Sequence, residues 1–297
     1  MKLGTIKGIL YSSISAIIYG IIPLLTKEVT SADNATLTGS MALRYFVCAI
    51  FAYAFAFRGE YSIKVNKKQL SELFFIGAGS AVITNLLLVS SYGYISLGLA
   101  TVCHFFYPVA VCIIMYLIFQ KRVNRYTKSA VICTITALIL LIYSYGMSSI
   151  IGMGIAVVSG IGWAIHLVAF EKASYHDLPQ PVSVFYIMAF SLLFYTIFTV
   201  ALQTFFLPTG KQVLWITLAG IGLVSAVILT AKGISLIGST TVAFISLFEP
   251  ITCMITDLVV YHNVPQGIQW AGYLLMLVSI VFVTLADTQI DATTPHD

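Results

Sequence analysis

Ten stretches of about 20 apolar residues, joined by a few polar residues each, fill nearly the whole chain. That pattern leaves little freedom. A helix crossing the hydrocarbon of a bilayer needs about 20 apolar residues, and in lipid it must satisfy its backbone groups within itself. Only 9% of the 297 residues are charged, against roughly 25% in soluble domains. The chain is therefore read as an all-α integral membrane protein with ten transmembrane helices and no room for a soluble domain. The predicted spans are 7–25, 36–57, 70–91, 97–119, 127–145, 152–170, 182–205, 213–231, 240–261 and 266–286.

The net charge of +4 reflects how lysine and arginine orient the helices, not an affinity for nucleic acid. With the N-terminus in the cytoplasm, the inner segments collect Lys2, Lys7, Arg58, Lys64, Lys67, Lys68, Lys121, Arg122, Arg125, Lys128, Lys172 and Lys232. The outer loops keep Lys27 and Lys211, and Arg44 lies inside the second span. Ten spans return the C-terminus to the same side, so the expected location is a multi-pass cell membrane with both termini cytoplasmic, the compact loops suggesting a bacterial inner membrane. Cys48, Cys103, Cys112, Cys133 and Cys253 all fall in apolar runs and read as small buried side chains without disulfides. No cleavable leader is expected, because the first apolar run is long and lacks a small-residue cleavage site.

The chain repeats itself. Ser15-Ala16-Ile17-Ile18-Tyr19-Gly20, followed by Lys27-Glu28, aligns without a gap to Ser159-Gly160-Ile161-Gly162-Trp163-Ala164 and Glu171-Lys172, at a constant offset of 144 from Ser15 to Ser159. Two five-helix halves follow, 1–146 and 147–287, with a polar tail at 288–297. Five is odd, so the second half enters the membrane upside down and the halves form inverted repeats. Phe106-Tyr107-Pro108 in the fourth span and Phe248-Glu249-Pro250 in the ninth make a second matched pair. A proline removes one amide donor and frees the carbonyl four residues earlier, here on His104 and Ser246. Paired interruptions of this kind in the two halves are the sequence pointer to a transporter's binding site.

These motifs resemble the drug/metabolite transporter (DMT) superfamily, in its ten-helix EamA type. The residues that carry the resemblance are Tyr19-Gly20 with Lys27, then Arg44, Pro108, Gly162-Trp163-Ala164 and Phe248-Glu249-Pro250. It covers the chain from about Lys7 to Ala286. It implies secondary transport, often export of amino acids, related metabolites or toxic amphiphiles. Members commonly carry a glutamate about thirteen residues after each proline. Lys121 and Asn263 stand there instead, so no role of that acid carries over.

Read from the residues, the candidate substrate-binding set is Glu249, His104, Tyr107, Trp163, His166, Tyr19 and Ser246, with kinks at Pro23, Pro108 and Pro250. His104 and Tyr107 are three apart and share a helix face, as do Ser246 and Glu249. An acid inside the membrane is a site hypothesis by default, since desolvating it costs about 2.5 kcal/mol or more. Glu249 is taken as the proton-coupling residue; the structural alternative is a protonated acid bonded to a neighbouring helix. For His104 the alternative is an interhelical hydrogen bond. Trp163 lies too deep for an interfacial belt and offers a cation–π face, whereas Trp215 and Trp270 begin helices and read as belt residues. Arg44 reads as snorkelling or structural, with Asp257 as an outer charge partner.

The expected partners are a small-molecule substrate, protons and the lipid bilayer, with no cofactor, metal or nucleic acid, in a monomer or homodimer. No phosphate-cradling G-x-x-x-x-G-K-[ST] loop is present, so a gradient must supply the energy. An intramembrane enzyme lacks its nucleophile and base, or its metal spacing. A receptor or channel lacks a filter loop. An uncoupled facilitator or an importer stays open within the transporter class.

Overall fold

A computed structural model describes residues 3–31, 34–59, 61–146 and 149–293, with side chains to residue 286. Among the described residues there are helices and no strands. The order is α1 Leu3–Thr30, α2 Leu37–Arg58, α3 Lys67–Glu72, a π-helical segment Leu73–Ala78, α4 Gly79–Ser91, α5 Leu97–His104 and α6 Tyr107–Leu117. Then come α7 Arg125–Tyr145, α8 Ile150–Lys172, α9 Gln180–Ala201, α10 Gly210–Ile245, α11 Phe248–Tyr261 and α12 Gly267–Thr293. Among the described residues, nine helices or joined helices are long and apolar enough to cross a membrane. The stretch 239–261, interrupted at 246–247, makes the tenth pass.

Local chemistry sets the helix starts. Thr36, Ser96 and Ser149 each accept the amide three residues on, at 3.2, 3.3 and 3.3 Å. Asn124 does the same for Thr127 at 2.8 Å. Asn66 with Gln69, and Thr209 with Gln212, form reciprocal capping boxes. Some ends run past their expected limits. Helix α1 continues through Lys27 to Thr30, and the hydroxyls of Thr26 and Thr30 bond back to carbonyls four residues earlier. The eighth and ninth spans are joined by one residue, Gly238, whose φ of 78° and ψ of 159° reverse the chain. A side chain is strained at that φ, and glycine is not. Lys232 therefore lies inside α10, before the turn. Helix α12 runs to Thr293, into the segment expected as a polar tail, and 294–297 lie outside the described residues.

The packing follows the repeat. Helix α1 lies along α10 and α11, and α8 lies along α4, α5 and α6. Helix α7 pairs with α12, and α2 with α9. Exchanging the first five spans for the last five maps each of these pairings onto another or onto itself. Helix contacts in lipid rest on close packing of small residues and on interhelical hydrogen bonds. Gly8 seats Ile237, and Gly220 seats Val47 with the Arg44 carbonyl. Thr134 and Ser279 join α7 to α12 through a 2.8 Å hydroxyl pair. Ser15 and Ser159, matched in the repeat, each bond a threonine of another span. Ser15 Oγ lies 2.7 Å from Thr230 Oγ1, and Thr84 Oγ1 donates to the Ser159 carbonyl at 3.3 Å. Large apolar side chains such as Phe46, Phe75, Ile139 and Leu214 stay on the outside, where lipid would cover them.

Candidate functional site

Both proline motifs break their helices. Helix α5 stops at His104 and α6 begins at Tyr107. Pro108 cannot donate, and its ring would strike a carbonyl in the preceding turn. Tighter bonds take over: Phe106 N donates to Cys103 O at 3.2 Å and Val109 N to Phe106 O at 3.0 Å. In the ninth span α10 ends at Ile245 and α11 begins at Phe248. There Leu247 N donates to Phe244 O at 3.1 Å, and Glu249 N to Ser246 O at 2.9 Å. The Ser246 carbonyl, which loses its usual donor to Pro250, is thus re-bonded by Glu249. Ser246 Oγ bonds its own helix, at Val242 O, 2.9 Å. Pro23, in contrast, sits inside the unbroken α1.

The breaks put Glu249 in the first turn of α11, at the positive end of a helix dipole. Helix α1 crosses at that point. The place of a Cβ on Gly20 is taken by Thr252 Cβ at 2.5 Å and by the Glu249 carbonyl oxygen at 2.8 Å. Tyr19 and Tyr107 both lie within electrostatic reach of the Glu249 carboxylate. The Tyr107 hydroxyl approaches Ser246, yet no hydrogen bond of normal geometry satisfies it, although the residue is fully buried. Tyr19 and Trp163 meet edge to face, ring centroids 6.0 Å apart. Tyr19, His104, Trp163 and Glu249 keep part of their surface open at mid-bundle depth.

The two histidines are tied differently. His104 Nδ1 pairs with Ser159 Oγ at 2.9 Å, and its ring lies 5.6 Å from that of Tyr107. His166 is buried and its ring stacks under Trp163, 4.8 Å away. Its Nδ1–H donates to the Gly77 carbonyl at 3.0 Å. Gly77 belongs to the π-helical segment, where the carbonyl ladder slips and leaves an acceptor for a neighbouring helix. His166 thus supports Trp163 from behind, while Tyr19, Tyr107, Glu249 and Trp163 gather from four helices. This arrangement provides a carboxylate, a free phenol and aromatic edges around one point.

Sequence reasoning undervalued Arg44. It is buried, donates to Thr26 Oγ1 at 3.1 Å and leaves Nε without a partner. Among the described residues Arg44 forms no ion pair, so the expected Asp257 contact is absent. Its burial had no signal beyond its place inside an apolar run. Trp270 is exposed, as a belt residue would be, but the indole nitrogen of Trp215 is buried.

The comparisons with known proteins agree with this architecture. No curated protein matches the chain. Solved structures do: one crystal structure superposes with a TM-score of 0.78 at 12% identity, over 96% of this chain and 98% of its own. That likeness shows the fold. The model of the EamA-like transporter family matches residues 6–143 and again 150–285, once for each half. The chain, a multi-pass membrane transporter of the DMT type, belongs to the EamA-like transporter family.

Proposed function

We propose that the protein is a secondary active transporter that exports a small metabolite, an amino acid, amine or related compound, by alternating access coupled to protons. The observation that carries this reading is the cluster of Glu249, Tyr107, Tyr19 and Trp163 beside two broken helices. Aromatic faces and a carboxylate attract an ammonium group, and Tyr107 keeps an unsatisfied hydroxyl for a second polar contact. Glu249 carries the coupling. It holds a proton when facing one side and yields it to the substrate's charge when facing the other. One charge crossing 100 mV exchanges about 2.3 kcal/mol with the membrane. His104 and Ser246 flank the site, and His166 holds Trp163.

The halves 1–146 and 147–287 rock about the centre, with Pro108, Pro250 and Pro23 marking where helices yield. The basic side chains Arg58, Lys64, Lys67, Lys68, Lys121, Arg122, Arg125 and Lys128 gather at one end of the bundle, which supports an N-terminus-in orientation. The working unit is a monomer or homodimer.

The experiment is transport in proteoliposomes, wild type beside Glu249→Gln, screening amino acids and organic amines with and without a pH gradient. Wild type is expected to move a substrate against its gradient when protons flow, and the variant only to exchange it. Equal behaviour of the two overturns the coupling role of Glu249. Downhill flux that ignores pH in both would mark an uncoupled facilitator.

A further inference from the structure

A cavity of about 50 Å³ opens at the basic end of the bundle, away from the central cluster. It lies where α6 ends, α7 begins and the ninth span starts after Gly238. Lys121, Arg122, Asn124, Thr127 and Thr240 line it. Its chemistry is one-sided. Lys121 and Arg122 stand exposed at the rim. The floor holds the first turn of α7, and Thr240 lies in the first turn after Gly238, so two helix N-termini converge where amide groups favour an anion.

Thr240 gives the independent sign of a ligand. The residue is 8% exposed, and its hydroxyl is buried with no hydrogen-bond partner. Leaving a buried hydroxyl unpaired costs about 1–3 kcal/mol. The other polar groups here are engaged. Asn124 accepts from Thr127 N and Oγ1 at 2.8 and 3.0 Å. The acid that faces the site is Glu171, which approaches Gly238 from the same side as Lys121. Its carboxylate takes both donors of Ser239 at 2.6 Å and pairs with Lys172 at 3.1 Å. Lys121 and Lys172 thus face one carboxylate, Arg122 adds a further positive charge at the rim, and the excess is positive.

We propose that this cavity binds a phosphate group, received by Lys121 and Arg122 at the rim and by the Thr240 hydroxyl within. The volume exceeds the roughly 10–15 Å³ that one water needs and is too small for a bulky organic solute. Its position at a membrane-facing end suits the headgroup of an anionic lipid, and the same chemistry accepts free inorganic phosphate. A bound phosphate would tie the 118–124 connection to the start of the ninth span. This site is independent of the transport reading, since none of its residues belongs to the central cluster.

The test is the thermal unfolding midpoint of the purified full-length protein in detergent. It is titrated with inorganic phosphate, with phosphatidylglycerol and with zwitterionic phosphatidylcholine. At least one of the first two probes is expected to raise the midpoint, and phosphatidylcholine to do so least. Lys121→Gln/Arg122→Gln is expected to raise the half-effect concentration about tenfold, as loss of charge-assisted bonds predicts. Thr240→Val weakens the response, and Thr240→Ser, which keeps the hydroxyl and tests folding, restores it. A response to phosphatidylglycerol alone assigns the phosphate to a lipid, and a response to inorganic phosphate assigns a free anion. No shift with either probe, or an equal shift in the double variant, overturns the site.

Discussion

Lys27 Nζ lies 3.5 Å from the centroid of the Tyr261 ring, clasping the end of α1 to the end of α11. A related pair closes the opposite end of the bundle, where Lys172 Nζ lies 5.6 Å from the Phe119 ring. Phe119 follows Pro108, and Tyr261 follows Pro250, by the same eleven residues. The two clasps are therefore related by the repeat with a one-residue shift, since Lys27 aligns with Glu171 and Lys172 with Glu28, and one is tight and the other loose. A cation–π contact contributes about 0.5–2 kcal/mol. Tyr261→Leu is accordingly expected to raise the labelling rate of Cys253 by a membrane-impermeant maleimide roughly two- to thirtyfold, in a background with the other cysteines replaced. An unchanged rate would mean that other contacts hold this end shut.

The edge-to-face pair of Tyr19 and Trp163 makes a second prediction. Such pairs contribute about 0.5–1.5 kcal/mol beyond the area they bury. Trp163→Ala also removes the face that stacks on His166. Its apparent KM for transported substrate is expected to rise by about tenfold, while Trp163→Phe keeps most of the affinity. Transport by both variants in proteoliposomes, at matched protein content, checks this. Equal KM values in Trp163→Ala and wild type would remove Trp163 from the substrate's path.

Much of this organisation was legible in the sequence, because membrane helices announce themselves by length and caps by residue type. The offset of 144 already matched Tyr19 with Trp163, and the structure brings them into edge-to-face contact. What escaped lies at the level of backbone geometry. The π-helical segment at Leu73–Ala78 has no residue signature, so the acceptor for His166 at Gly77 could not be foreseen. A three-residue spacing put His166 beside Trp163 but not behind it. The prolines signalled bends, yet not full breaks, and only a break sets Glu249 in the first turn of a new helix. Lys232-Gly233 looked like a helix end, but Gly238 makes the turn. Arg44 was paired with Asp257 on charge alone, whereas Thr26, next to Lys27 in α1, meets it first.

Glu171 gives a third prediction. Its carboxylate accepts from both the amide and the hydroxyl of Ser239, capping the helix that follows Gly238. Loss of such a cap costs about 0.5–2 kcal/mol. Glu171→Gln keeps one acceptor oxygen and loses the charge that faces Lys172. Its thermal midpoint in detergent is expected to fall by a few degrees. Ser239→Ala should fall less, because the amide still donates to Glu171. A larger drop for Ser239→Ala than for Glu171→Gln would show that the hydroxyl, not the carboxylate, organises this turn.

Gly160 and Gly154 separate packing at the break from helix propensity. A Cβ on Gly160 would collide with the His104 carbonyl oxygen, which is fixed backbone at the end of α5. A Cβ on Gly154, in the same helix α8, would meet nothing within 4 Å. Gly160→Ala must push α8 off the broken fourth span, and overpacking of this kind costs about 1–3 kcal/mol. Gly154→Ala should be neutral, or stabilising by about 0.4–1 kcal/mol through reduced freedom of the unfolded chain. The midpoint is therefore expected to drop in Gly160→Ala and hold in Gly154→Ala. Transport should follow, because shifting α8 also shifts Ser159 from His104 and Trp163 from Tyr19. Gly20→Ala, which meets the Glu249 carbonyl at 2.8 Å on the other side of the repeat, should behave like Gly160→Ala. If all three alanine variants kept wild-type midpoints and transport, the close seating of α1 and α8 on the two breaks would not be what holds the central cluster together.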